Sequence, residues 1–414
     1  MPPWNALQVL EPTPSPILSD PDQRDEVAPE DMPVGRRARP EYSARGIRFG
    51  SWLFNPTLTA GTLYDSNVFS SDSNRQSDIA GLLGANLRAR NSSERNSLDF
   101  QMDVQSLSYL NHSNLNEVDA TFKGNGRFEL QHDLELLTAV RAAYLHVGVG
   151  ALTSPAGAVE PTPYSLFSGD VTLRKQSGRI TTSLGMRADS YNFGSTRAAD
   201  GTIINQDALD GQVYTAHGRI DYAFSEKTAW FTSVEGNRRD LRGQPGQPLD
   251  SSGYRALTGF DVELTHLIKG EVAAGWTAQH FTSSTIGTID GPTYRAMLTW
   301  SPTRRLDVHF NAEQAVTEAS DTSSSGIRAD ALQAGFDYEL RPNIILSSAA
   351  TYEKDRFFGQ DRADNVYYAD AELKYLMNQV TSISLLYRYT VRDSNSPGFS
   401  YDKHQVGINA SARF

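Results

Sequence analysis

The chain has no cysteine in 414 residues. That absence excludes a disulfide framework, a thiolate metal site and a cysteine nucleophile, and it fits passage through an oxidising periplasm. Long apolar runs are also missing. Nowhere do the roughly 18 consecutive apolar residues of a helical membrane span occur. A barrel strand needs only one apolar face, so the membrane itself is not excluded. Positive charge is scarce: 38 Lys and Arg stand against 49 Asp and Glu, a formal net charge of −11. A surface for nucleic acid is therefore not expected. The opening Met-Pro-Pro-Trp-Asn shows no basic segment followed by an apolar core. Export then requires a leader trimmed from this chain or encoded upstream of its first residue.

Residues 1–46 differ from everything after them. The stretch EPTPSPILSDPDQRDEVAPEDMP is rich in proline and acid, has no apolar period, and leads into the basic residues Arg36, Arg37 and Arg39. Such a composition buries too little apolar area to offset chain entropy, so a disordered or extended periplasmic arm is expected, either a tether for a partner or a solvated leader.

From residue 47 to the end the pattern is period 2. Leu306, Val308, Phe310 and Ala312 alternate with Asp307, His309, Asn311 and Glu313; Leu332, Ala334, Phe336, Tyr338 and Leu340 alternate with Gln333, Gly335, Asp337 and Glu339. Ile383, Leu385, Tyr387, Tyr389 and Val391 repeat the motif around Ser384, Arg388 and Thr390. This is the signal of strands with one apolar face, and about eighteen such segments fit the range of outer-membrane barrels. The connections add a rhythm. Long polar links (SSDSNRQS, ALTSPAGAVEPTPY, STRAADGTIINQDAL, GQDRAD and others) alternate with short turns such as QHD, SEK and RPN. A soluble sandwich has no reason for that alternation, whereas a barrel has short turns at one membrane face and loops at the other. The expected fold is all-β: one transmembrane antiparallel barrel over residues 47–414, in the outer membrane of a Gram-negative bacterium, with both termini periplasmic.

The two faces can be assigned. Tyr214, Tyr222, Phe224, Tyr254, Phe260, Trp276, Tyr294, Trp300, Phe122 and Phe128 fall on the apolar face, several near strand ends where aromatic girdles sit. Arg127, Arg187, Arg219, Arg239, Arg255, Asp261, Glu263, Arg295, Asp307, Glu313, Asp337, Glu339, Asp370, Glu372 and Arg388 fall on the other and are expected to line a pore, as are Arg88, Asp99, Asp103, Asp189, Asp221 and Glu235. Val406, Ile408, Ala410 and Ala412 alternate up to the terminal Phe414. This pattern is similar to the signal by which the barrel-assembly machinery recognises its substrates.

The junction of arm and barrel reads Arg39-Pro40-Glu41-Tyr42, then Gly46-Ile47-Arg48-Phe49-Gly50-Ser51, then Tyr64-Asp65-Ser66-Asn67-Val68-Phe69. In that order these elements, with Arg95-Asn-Ser-Leu98 and Asn116-Glu-Val-Asp119 after them, resemble the type-two family of outer-membrane β-barrel porins over residues 36–414. The resemblance implies a barrel in a polysaccharide-linked setting, since members often occur in exopolysaccharide and capsule gene clusters. It carries no catalytic residue.

The eight histidines form no H-x-x-x-H or H-E-x-x-H spacing, and no G-x-S-x-G elbow occurs. His217 with Asp221, and His309 with Glu313, share inward positions, where lumen hydrogen bonding is the expected role. Asp261 and Glu263, two apart, have the residue types of a glycosidase pair, but with Arg255 on the same face they are expected to line a pore. Neither cofactor nor metal is expected. The expected function is a pore for exopolysaccharide or capsular polysaccharide, working in outer-membrane lipid with periplasmic polysaccharide-export proteins. The alternative is a diffusion porin for small solutes, favoured by a folded-in loop and fixed rings of charge; a barrel hydrolase is a distant third.

Overall fold

The computed structural model describes residues 33–35, 37, 39–93, 95–243, 248–264, 267–283, 287–317 and 326–414. Residues 1–32 of the arm expected over 1–46, with Arg36 and Ala38, and also His266 and the connection 318–325, lie outside them.

Eighteen antiparallel strands close into a barrel. They are β1 (Trp52–Asp65), β2 (Asp78–Ser92), β3 (Asn96–Tyr109), β4 (Glu117–Gln131), β5 (Leu134–Val147), β6 (Thr162–Ser177), β7 (Ile180–Phe193), β8 (Gly211–Ser225) and β9 (Thr228–Leu241). The second half comprises β10 (Ser251–Leu264), β11 (Ile268–Phe281), β12 (Thr288–Thr303), β13 (Leu306–Thr317), β14 (Gly326–Arg341), β15 (Ile344–Phe358), β16 (Arg362–Leu376), β17 (Thr381–Ser394) and β18 (Tyr401–Arg413). Each strand pairs with the next, and the ring closes where β18 pairs with β1, from Thr57 opposite Arg413 to Asp65 opposite Gln405. Closure pairs the two edge strands with each other, so the backbone ladder runs around the whole wall. A three-residue strand, Ile47–Phe49, folds back on Trp52–Phe54 ahead of β1.

Strand ends follow local chemistry. One rim carries tight turns: Ser177 pairs with Ile180 around Gly178, whose φ of +59° suits a residue without Cβ. Register shifts occur beside four of these turns, in β4, β8, β12 and β14, where an extra residue lets the strand bend into the turn. The opposite rim carries the longer loops, with one departure from the sequence reading. The link near residue 360 is only Gly359–Asp361, because Arg362 and Asp364 continue the ladder of β16. Arg362 Nε donates to Asp364 Oδ1 at 3.0 Å and its guanidinium lies over the rings of Phe357 and Phe399. A polar residue facing a filled lumen looks like a loop residue in sequence.

The outer face is apolar. Tyr254 and Phe260 of β10 are about half exposed at 46% and 49%, while Leu257 between them, facing inward, is at 4%. Trp230, Phe260 and Trp300 lie nearer the turn rim, and Tyr254 and Trp276 nearer the loop rim. Two aromatic bands separated by aliphatic residues such as Leu184 and Met186 match the girdles of a membrane barrel.

Candidate functional site in the lumen

Side chains from strands three or more apart in a closed barrel meet on its concave side. Such contacts fix the inner face. Arg219 of β8 reaches Glu271 of β11 at 2.7 Å, Arg255 of β10 reaches Glu313 of β13 at 2.9 Å, and Arg239 of β9 donates to the Val316 carbonyl of β13 at 3.2 Å. Because the strand period is two, these contacts place every second residue of each strand in the lumen. All fifteen charged residues singled out for the lining stand on that inner face.

Their partners differ from those the sequence suggested. Arg219 also holds Asp221 at 2.8 Å and stacks 3.7 Å over Phe231, a ring wholly inside the barrel. Arg295 shares Glu313 with Arg255, at 3.3 Å. Glu263 pairs with Lys269 at 3.1 Å, and Asp261 stands opposite Glu271 in the ladder, so neither belongs to Arg255. Arg127 bonds Glu135 at 3.1 Å, Arg187 bonds Asp189 at 3.0 Å, and Arg388 bonds Asp370. Glu372 accepts from Ser384 at 2.7 Å. His217 meets Thr172 at 3.0 Å and Asp170 at 3.8 Å rather than Asp221; His309 meets Asp337 at 3.0 Å rather than Glu313. The two-residue spacing finds the face; the partner comes from the same strand for Arg187 and Arg219, from an adjacent strand for Arg127 and Arg388, and from three strands away where Arg219 meets Glu271 and Arg255 meets Glu313.

At the turn rim the lumen is occupied by the chain's own residues 33–35, 37 and 39–42. The Val34 backbone N–H donates to Asp307, whose other oxygen accepts from Ser301 at 2.6 Å. Arg39 and Arg37 both reach Glu339 Oε2, at 2.8 and 3.3 Å. The Pro40 carbonyl accepts from Gln379 at 2.8 Å, and the Tyr42 carbonyl from Arg413 at 3.3 Å. Val34, Arg37, Arg39, Pro40 and Tyr42, read from composition as part of a disordered or extended arm, are thus tied to the wall. The acids that hold them lie hundreds of residues away, which composition cannot report.

Farther in, β13–β17 line a cavity of about 320 Å³. Asn311 Nδ2 donates to Gln333 Oε1 at 3.0 Å, and Gln333 Nε2 donates to Thr351 Oγ1 at 3.1 Å. Below this amide ladder lie His309, Asp337 and Ser347; beside it are Asp370, Glu372 and Arg388, with Tyr368 and Leu386 as the apolar surfaces. Paired amides, carboxylates, an arginine and an aromatic ring together offer donors and acceptors in planar array, the chemistry that binds vicinal hydroxyls. Asn311 and Gln333 stand on the polar face in sequence but outside the set of charged lining residues, and Thr351 and Tyr368 carry no sequence expectation. The first three are uncharged, although they stand in phase with Asp307, Asp337 and Ser347. Tyr368 is an inward aromatic among aromatics that were assigned to the outer face; its even-numbered phase with Asp370 was the available signal.

At the loop rim, residues 148–161 between β5 and β6 turn into the barrel. Leu152 packs against buried Ile327 and Phe357 of β14 and β15, half the ring away from its own strands. The Gly150 carbonyl accepts from Tyr401 of β18 at 3.3 Å, and the Val149 carbonyl from Ser70 at 3.3 Å. Gly150 has φ +76°, and a Cβ there would sit 2.2 Å from Ser70 Cβ. The base is braced by Asn114, which donates to the Val159 carbonyl at 2.7 Å, and by a bridge between Ala158 and Ala198.

The family model described as "Putative beta-barrel porin 2" matches residues 39–414. Among curated sequences no match is found. Solved structures similar to the chain include a mutant ferric enterobactin receptor (PfeA) from Pseudomonas aeruginosa, 7% identical with a TM-score of 0.45, covering 87% of this chain and 80% of that one. The siderophore receptor PirA from Acinetobacter baumannii is 8% identical, TM-score 0.46, with the same coverage. OpdL from Pseudomonas aeruginosa is 12% identical, TM-score 0.45, covering 88% of this chain and all of that one.

Proposed function

The chain belongs to the family described as "Putative beta-barrel porin 2", and from that premise we propose that it is a non-catalytic outer-membrane channel for carbohydrate, whose cargo is exopolysaccharide or capsular polysaccharide. The observation that carries this reading is the lumen cavity with its Asn311–Gln333–Thr351 ladder, Asp370–Arg388 pair and Tyr368 ring. Most lumen arginines are matched by carboxylates, so the wall offers hydrogen bonds rather than a net field. Sugar hydroxyls exchange with such groups at many weak sites, strong enough for entry and weak enough for release. An eighteen-strand ring is wide enough for an aqueous passage. The turn rim, which carries both ends of the barrel, faces the periplasm, and the loops face outside. The periplasmic mouth is where export proteins would be met.

The inward loop 148–161 favours a second reading, a diffusion porin narrowed to small solutes. One experiment separates them. With the purified protein in a planar bilayer, maltoheptaose added to one side should interrupt the ion current, and Gln333→Ala or Arg388→Ala should raise the half-blocking concentration about five- to tenfold, the worth of one lost hydrogen bond. A current indifferent to oligosaccharide and sieved only by size identifies a diffusion porin.

Phe414 follows β18 in phase with its outer residues Val406 and Ile408, its N–H on the Pro56 carbonyl at 3.0 Å. As an assembly signal, it should be needed for insertion but not synthesis. Phe414→Ser is expected to leave total protein unchanged and to lower the heat-modifiable, membrane-inserted fraction; an unchanged inserted fraction removes the signal role.

A further inference from the structure

On the outer wall near the loop rim three cations stand on two adjoining strands. Arg328 of β14 is directly opposite Arg356 of β15, and Lys354 is opposite Asp330 one pair farther down. Like charges placed opposite in a ladder are unfavourable, and this pair stands with Asp330 and Lys354 on the loop side of the apolar stretch of the outer face. Asp330 does not offset them fully, being already engaged by Gln314 at 2.7 Å and Tyr294 at 3.3 Å. Arg328 donates one bond, to the Pro292 carbonyl at 3.1 Å, and its buried Nε has no hydrogen-bond partner. Directly beneath the cations the same face opens a groove of about 330 Å³. Its floor is Ala334, Ala350 and Ala369, where small side chains on three neighbouring strands leave a trough between the rings of Phe310, Tyr367 and Tyr389.

We propose that this surface is a binding site for one lipid A unit of lipopolysaccharide, its phosphate held between Arg328, Arg356 and Lys354 and one acyl chain laid in the alanine trough. The proposal rests on the outward orientation of the loop rim given above, which puts the cations at the depth of outer-leaflet headgroups. Charge complementarity selects the phosphate: three cations stand against the one carboxylate of Asp330, and an anionic headgroup offers each of them a charge-assisted bond. The trough selects an acylated ligand over a free anion.

The full-length protein in detergent is titrated with bis-phosphorylated lipid A, with dephosphorylated lipid A and with inorganic phosphate, following retention by native mass spectrometry. Lipid A is expected to bind, dephosphorylated lipid A about tenfold more weakly, and phosphate not measurably. The variant R328Q/K354Q/R356Q should bind lipid A at least about tenfold more weakly while keeping its single-channel conductance, since no substituted residue faces the lumen. Ala350→Trp fills the trough and should weaken lipid A while the cations stay intact. Equal binding by both variants, or phosphate competing as well as lipid A, overturns the site. Orientation is scored independently: because the chain lacks cysteine, Ser396→Cys in the β17–β18 loop should react with an impermeant maleimide on intact cells. Labelling only after lysis overturns the orientation, and with it the assignment to lipid A.

Discussion

Met186→Arg is expected to strip most folded protein from the membrane, Phe260→Arg to lower it partially, and Asp261→Arg to leave it folded with altered ion selectivity. Met186 is 73% exposed on the outer face near the middle of β7, where a cation meets acyl chains; the cost there is about 2–4 kcal/mol. Phe260 sits on the same outer face but four residues from the end of β10 and opposite Trp230, within reach of headgroups. Its penalty falls toward about 0–1 kcal/mol. Asp261 is one residue on and faces the lumen, opposite Glu271. An arginine there gains a carboxylate neighbour, and it shifts the channel toward anions. Heat-modifiable mobility measures the folded fraction and bilayer reversal potentials measure selectivity. Should Asp261→Arg block folding while Met186→Arg is tolerated, the inner and outer faces are exchanged and the lumen assignment collapses.

Replacing residues 151–158 with two glycines is expected to raise single-channel conductance severalfold without loss of the barrel. The loop's tip is held by Leu152 on Ile327 and Phe357, and its near end by the Gly150 carbonyl on Tyr401. Those contacts place backbone across the lumen but contribute nothing to the strand ladder, so the ring closes without them. The shortened channel should also admit longer oligosaccharides than the intact one, as a bilayer blocking series would record. An unchanged conductance would mean that current passes elsewhere in the cross-section and that the loop is no constriction. Tyr401→Phe is the milder form of the test, since it removes only the hydroxyl and frees one anchor of the loop.

The amino-acid sequence by itself determined the strands, their eighteen-fold repetition and the face on which each residue stands, because strand geometry has a period of exactly two and one face of a membrane barrel must be apolar. Arg219, Glu313 and Asp370 could be sent inward on that ground alone. What only the tertiary structure decided is who meets whom. Arg255 finds Glu313 two strands beyond its neighbour, Glu339 collects Arg37 and Arg39 from the far end of the chain, and Leu152 crosses to Ile327 and Phe357. These distances depend on strand tilt, ring closure and the curvature that brings distant strands to a common interior. None leaves a local periodic trace. The same holds for the trough of Ala334, Ala350 and Ala369: each alanine is unremarked in its own strand, and a groove exists only once register sets the three side by side.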